Sequence, residues 1–214
     1  MTANRPIPLF LFAKSPEPGK VKTRLMPQCS ARQAADLAKI LLEEACRAAT
    51  KYWPGEVVLA VWPDQQHPFI RTLAERFSLR MVTQVGGDLG EKMHQVCEQA
   101  GYPVAVMGCD APHVTPATLM GAFQHLEHGR PVLGPAEDGG YYLLGLTRGS
   151  KEIFTGIEWG GPKVLGHTLK KAKESNIELT LLPSLNDVDT WQDVLDLASS
   201  KPAIRDYLAA EKLL

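Results

Sequence analysis

Short apolar runs alternate with longer amphipathic stretches along this chain. Leu9–Ala13 is a continuous apolar run of strand length, the pattern of a strand covered on both faces. After it, Ala34, Leu37, Ala38, Leu41, Leu42 and Ala45 recur at helical spacing, which predicts a helix starting near Ser30 as its N-cap. The same reading predicts strands at Val57–Val61, Leu79–Thr83, Val104–Met107, Pro131–Gly134, Tyr141–Leu146 and Ile177–Leu182. Helices are expected at Phe69–Phe77, Glu91–Ala100, from the Thr115 cap to about Glu127, Lys163–Glu174, Trp191–Ala198 and Ala203–Ala210.

Strand and helix alternate at the spacing of βαβ units. That implies an α/β fold of three layers, a mostly parallel sheet between helices. At 214 residues the chain is long enough for one domain with a sizeable core and short for two, so residues 1–214 are expected to form a single domain. The composition is that of an ordinary globular protein, with 44% hydrophobic and 22% charged residues. A net charge of −1 argues against a broad nucleic-acid surface. The four cysteines, Cys29, Cys46, Cys97 and Cys109, form no CxxC pair and no disulfide framework. The apolar run Pro8–Ala13 is too short to span a bilayer and lacks a signal-peptide layout. A cytoplasmic location is expected.

In open α/β sheets ligands bind beyond the carboxyl ends of the strands, and four unusual segments fall there. The first follows the first strand and places Lys14, Gly19, Lys20, Lys22 and Arg24 close together. Basic side chains and a glycine that exposes backbone amides suit a phosphate chain. The loop is not a Walker A motif, whose Gly-x-x-x-x-Gly-Lys-Ser/Thr spacing is absent. The second runs from Gln84 through Gly86, Gly87 and Asp88 to Gly90. Its glycines can lie against a base or ribose and Gln84 can bond a base edge, while Asp88 suits either a ligand or the helix N-cap. The third delivers Asp110 to the end of an apolar strand, where a lone carboxylate fits Mg²⁺ (or Mn²⁺) whose remaining ligands come from phosphates. In the fourth, Asp187 or Asp189 can share that metal or cap the helix that follows, as Thr190 also can. Two further features face a second substrate or serve the fold alone: the turn Glu137-Asp138-Gly139-Gly140, and Trp159, which can stack on a ligand or sit in the core.

Together these motifs resemble the GT-A-like nucleotide-diphospho-sugar transferase superfamily. Within it they resemble a bacterial family of glycosyltransferases of unknown specificity. The resemblance rests on Phe12-Ala13-Lys14 with Pro16, Pro18, Gly19 and Lys22-Thr23-Arg24-Leu25; on Gly87-Asp88-Leu89-Gly90; on Gly108-Cys109-Asp110-Ala111-Pro112; on the run Gly134–Gly145; and on Asp187-Val188-Asp189-Thr190. The chain is also similar to cofactor-pathway guanylyltransferases, including the deazaflavin-pathway enzyme. There a Lys-Ser-Arg-Leu segment stands in place of Lys22–Leu25 and a Gly-Gly-Thr-Asn segment resembles Gly139–Tyr142. The resemblance implies that the first loop holds donor phosphates, that Asp110 binds the metal, and that Asp189 is the second acid. Gly108 stands where many GT-A glycosyltransferases carry the first acid of Asp-x-Asp.

The expected function is therefore metal-dependent transfer from a nucleotide donor, with Asp110, Lys22 and Arg24 as the catalytic groups. The leading form is glycosyl transfer from a nucleotide-diphospho-sugar to a small acceptor. The alternative is nucleotidyl transfer, in which a phosphorylated substrate attacks a nucleoside triphosphate. A nucleotide-binding module without activity is the third reading. A dehydrogenase is discounted, since no Gly-x-Gly-x-x-Gly follows the first strand.

Overall fold

A computed structural model describes residues 6–213; the two ends of the expected 1–214 domain, residues 1–5 and 214, lie outside them. The strands are β1 (Leu9–Lys14), β2 (Val57–Trp62), β3 (Arg80–Thr83), β4 (Val104–Gly108), β5 (Val132–Pro135), β6 (Tyr141–Leu146) and β7 (Thr180–Leu181). The helices are α1 (Ala31–Tyr52), α2 (Pro68–Phe77), α3 (Leu89–Ala100), α4 (Pro116–Glu127), α5 (Val164–Glu174), α6 (Trp191–Ser200) and α7 (Pro202–Ala210). The strands form one seven-stranded sheet in the order β3-β2-β1-β4-β6-β5-β7. Among the described residues only β6 runs against its neighbours; every other pairing is parallel. The sheet is therefore the mostly parallel one expected, with a single reversed strand where the Ala136–Gly140 turn folds β6 back on β5.

Alternation along the strands decides which layer each residue supports. Leu9, Leu11 and Ala13 face α1, α2 and α4, whereas Phe10 and Phe12 face α3 and α5. The helical face read from α1 divides in two. Leu42, Ala45, Cys46 and Ala49 press on the sheet, while Ala34, Leu37 and Leu41 receive α6 and α7. Ala38 belongs to neither stripe and lines a cavity instead. Ser30 caps α1 in a capping box with Gln33. The strand expected over Ile177–Leu182 shrinks to two residues: Ile177 packs under α5, and only Thr180 and Leu181 pair with β5.

All four cysteines are free and buried. Burial, aided by Glu43 near Cys46 and Glu98 near Cys97, pushes both of these thiols up to about 12. Because the thiolate is the reactive form, thiol reagents at pH 8 are expected to leave the native chain unmodified. All four thiols should then react on denaturation. Rapid native labelling, counted by mass, would contradict this packing.

Candidate active site

The site forms at the carboxyl ends of β1 and β4, and its parts come from three distant segments. β1 and β4 are parallel neighbours, Phe12 opposite Gly108, so the loops that leave them emerge side by side. The first loop carries Lys14 through Arg24 and the second carries Asp110. The third segment is pinned against them by a hydrogen bond from the Val188 amide to the Asp110 carbonyl, 3.1 Å. That bond brings Asp187 and Asp189 beside Asp110.

Lys22 joins the three segments. Its Nζ lies 2.8 Å from Asp110 Oδ1 and 3.4 Å from Asp189 Oδ1, and it donates to the Val188 carbonyl at 2.7 Å. Arg24 holds the other oxygen of Asp189 at 2.6 Å. The Lys22 side chain is 6% exposed and that of Asp110 is 57% exposed, so the ammonium sits inside and the carboxylate faces solvent. Burial lowers the pKa of Lys22, but the charge and hydrogen bond of Asp110, with Asp189 and Asp187 behind, outweigh it and leave the lysine above its usual value. Its backbone lies in the left-handed region, φ 45°, a conformation that residues with a Cβ adopt rarely.

These groups border an open cavity of about 320 Å³, lined by Lys14, Lys20, Lys22 and Arg24 on one side and by Asp110 and Asp189 on another. Ala38 and Leu42 of α1 add an apolar wall. Gly19 shapes the basic loop at φ +79° with open space around its Cα, which leaves that stretch of backbone accessible. Lys14 reaches across the loop to the Lys20 carbonyl at 2.7 Å. Six expected residues, Lys14, Lys20, Lys22, Arg24, Asp110 and Asp189, thus border one cavity.

Asp187 is the acid that the sequence left undecided. It makes no hydrogen bond or ion pair among the described residues. Burial, and then the charges of Asp138 and Asp110, push its carboxyl up to about 7 against the pull of Lys22. Asp189 is spared from capping α6, because Thr190 does so in a capping box with Asp193. Asp138 accepts the Gly140 amide at 2.8 Å and shapes the β5–β6 turn. Gly139, at φ +90°, lies so close to Pro162 that a Cβ would fall 2.1 Å from its carbonyl oxygen. The turn is locked to the start of α5 by the Leu165 amide, which donates to the Gly139 carbonyl at 2.8 Å. With its amide nitrogen turned toward Glu137, Asn186 donates to both carboxylate oxygens, at 2.6 and 3.1 Å, and ties that turn to the Asp187 segment.

Three expected ligand contacts have other work in the structure. Gln84 is buried and donates to the carbonyls of Ala13 and Ala60, at 3.3 and 2.8 Å. Its donors tie the ends of β1 and β2 together, which leaves them unfit to read a base. Asp88 is the N-cap of α3, accepting the Glu91 amide at 2.7 Å, and the Gly87 amide donates to Glu91 at 2.7 Å. The glycine loop is spent on starting a helix. Trp159 packs edge-on against Tyr141, ring centroids 6.3 Å apart, and would collide with a side chain at Gly90. Gly90 is thus explained by indole packing.

The family model described as an uncharacterized protein conserved in bacteria (DUF2064) matches residues 41–161, more than half of the chain. The chain belongs to this family. The DUF2064 fold is shared with a solved structure from Desulfovibrio desulfuricans G20 assigned as a nucleotide-diphospho-sugar transferase. That structure is 32% identical at a TM-score of 0.75, and the match covers 89% of this chain and 84% of that one. A Mycobacterium tuberculosis H37Rv protein, Rv0371c, crystallised with manganese, is 17% identical at a TM-score of 0.57, over 92% of this chain and all of that one. A cytidylyltransferase from Leptospira borgpetersenii is 12% identical at a TM-score of 0.56, over 94% and 96%. The last two show the fold alone. The comparison with curated proteins finds no match. Fold and family together place this DUF2064 protein in the nucleotide-diphospho-sugar transferase superfamily.

Proposed function

We propose that this DUF2064 protein acts, as a single domain, as a metal-assisted transferase that takes a sugar from a nucleotide-diphospho-sugar. The observation that carries the proposal is the cavity itself, where the Lys14–Arg24 loop faces the acids at the ends of β4 and β7. A diphosphate fits between such walls, held by Lys and Arg and by backbone amides near Gly19. Glycosyl transfer needs positive charge on the departing nucleoside diphosphate and little covalent help.

A divalent cation fits the acids. Asp110, Asp187 and Asp189 offer hard oxygen donors, and burial with the neighbouring carboxylates holds the Asp187 carboxyl up at about 7, a rise that a bound cation would reverse. Among the described residues no three such side chains form a ready-made metal cage. This suits Mg²⁺ or Mn²⁺, which take few protein ligands when phosphates supply the rest. The cation would take Asp110 together with Asp187 or Asp189; Lys22 already holds Asp110 and Asp189, and Arg24 holds the other oxygen of Asp189. Bound there, the ion would neutralise charge on the leaving phosphates. Lys22 and Arg24 bind those phosphates, and the α1 wall limits water.

Glu137, Asp138 and Asp187 gather on the side of the β5–β6 turn, which suits a hydroxyl acceptor better than a phosphorylated one. Nucleotidyl transfer remains the second reading, favoured by the basic loop beside β1 and by Gly108 in place of an Asp-x-Asp acid. The test is a mass-spectrometric screen of nucleotide-sugars and nucleoside triphosphates with Mg²⁺ or Mn²⁺. Release of a nucleoside diphosphate supports the proposal, release of pyrophosphate supports the second reading, and metal-indifferent binding with no turnover leaves a sensor. Arg24→Ala should raise the KM for the donor about tenfold with a smaller change in kcat, since one exposed phosphate contact is lost. An unchanged KM would remove Arg24 from the donor site.

A further inference from the structure

The acids of this site already have a cation. Lys22 places its ammonium against Asp110, Asp189 and the Val188 carbonyl, at 2.8, 3.4 and 2.7 Å. Those three acceptors match the three donors of an ammonium. The side chain is nearly enclosed, and its four-carbon stem lets the ammonium move without moving the backbone. Arg24 occupies the remaining oxygen of Asp189. An incoming divalent ion must therefore compete with the lysine for Asp110 and Asp189. The same lysine lines the cavity where donor phosphates would lie, so it has two alternative anionic partners a short side-chain movement apart.

We propose that Lys22 is the resting counter-ion of the Asp110–Asp189 pair, and that a divalent cation is admitted only together with the donor phosphates, which draw the ammonium away from the acids. The inference rests on the function proposed above and adds an order to it. Without phosphates, metal binding requires a buried ammonium to abandon its partners with nothing to replace them. With phosphates present, the ammonium exchanges one anion for another and the acids exchange it for the metal. Metal and donor then strengthen each other's binding by the same factor, and such couplings are commonly about 5- to 150-fold. The device would keep the site from filling with metal when no donor is there.

The test is the binding of Mn²⁺ alone to the full chain, read from the electron paramagnetic resonance signal of the free ion. Wild type is compared with Lys22→Met and Lys22→Gln, which keep most of the side chain's length and remove its charge. Melting temperature is followed in parallel with Mn²⁺, with inorganic pyrophosphate as a base-free phosphate chain, and with both. Wild type should bind Mn²⁺ weakly alone, and both variants should bind it at least about tenfold more tightly. In wild type the joint rise in melting temperature should exceed the sum of the two separate rises; in the variants Mn²⁺ alone should suffice. If a variant unfolds without metal, its recovery by Mn²⁺ alone supports the exchange, and a failure to recover overturns it. Equal Mn²⁺ affinity in wild type and variants overturns the counter-ion role while leaving the metal site standing. No Mn²⁺ binding by any form, with or without pyrophosphate, would instead remove the metal from the proposed function, and the exchange with it.

Discussion

Asp110→Ala is expected to lower kcat by at least about a thousandfold on whichever donor the screen identifies, and to leave the fold intact. Loss of a metal's charge stabilisation at a departing phosphate is worth several kcal/mol, and each 1.4 kcal/mol is about tenfold in rate. The cost to stability should be about 1–3 kcal/mol, because buried Lys22 loses its nearest carboxylate but keeps Asp189 and Val188 as partners. Circular dichroism and steady-state kinetics separate the two effects. Asp110→Asn should behave in the same way, since its shape is retained and its charge is not. Turnover near the wild-type value in either variant would remove Asp110 from the centre of the site.

Gly139→Ala should be among the most damaging single-methyl additions to this chain. Two costs combine. The residue sits at φ +90°, where a Cβ costs about 1 kcal/mol or more, and that Cβ would fall 2.1 Å from the Pro162 carbonyl oxygen. The obstacle is backbone, so no rotamer change relieves it. About 3 kcal/mol of destabilisation is expected, which for a domain of this size lowers the melting temperature by roughly 6–12 °C. Activity should fall further than stability, because the turn that must yield carries Asp138 and is tied to Asn186, next to Asp187. Gly19→Ala is the control: its φ is also positive, but nothing lies within 4 Å of the added carbon. It should cost only about 1 kcal/mol. Equal melting temperatures for the two variants would mean that the turn is not packed against Pro162 as described.

The sheet was legible in this sequence because parallel strands covered on both faces leave unbroken apolar runs, and Leu9–Ala13 and Val104–Met107 are such runs. The last strand was not: Ile177 and Leu182 are buried for helix and sheet packing, so their hydrophobicity extended a pairing that spans two residues. The polar residues show the limit most clearly. A glutamine at a strand end reads the same whether its amide meets a base or two carbonyls of its own chain, and Gln84 meets the carbonyls. Asp88 and Thr190 carry the composition of helix caps and are caps. Asp187 could not be ranked against Asp189, since spacing does not reveal which carboxylate an arginine reaches across the fold. The basic loop was read as a candidate phosphate cradle from its charge, its glycine and its place at a strand end. That its Lys22 would already be clamped between acids from two other segments depended on the Val188–Asp110 hydrogen bond, a long-range contact with no local signature.

The most direct measurement of the central claim is calorimetric titration of the chain with the nucleoside diphosphate of its donor, in Mn²⁺ and in chelator, for wild type and Asp110→Ala. Wild type should bind in Mn²⁺ with an affinity at least about a hundredfold above that in chelator, the size of coupling that two directly interacting ligands can reach. Asp110→Ala should bind equally weakly in both. An affinity that ignores both the metal and the substitution would contradict a metal-assisted nucleotide site centred on Asp110.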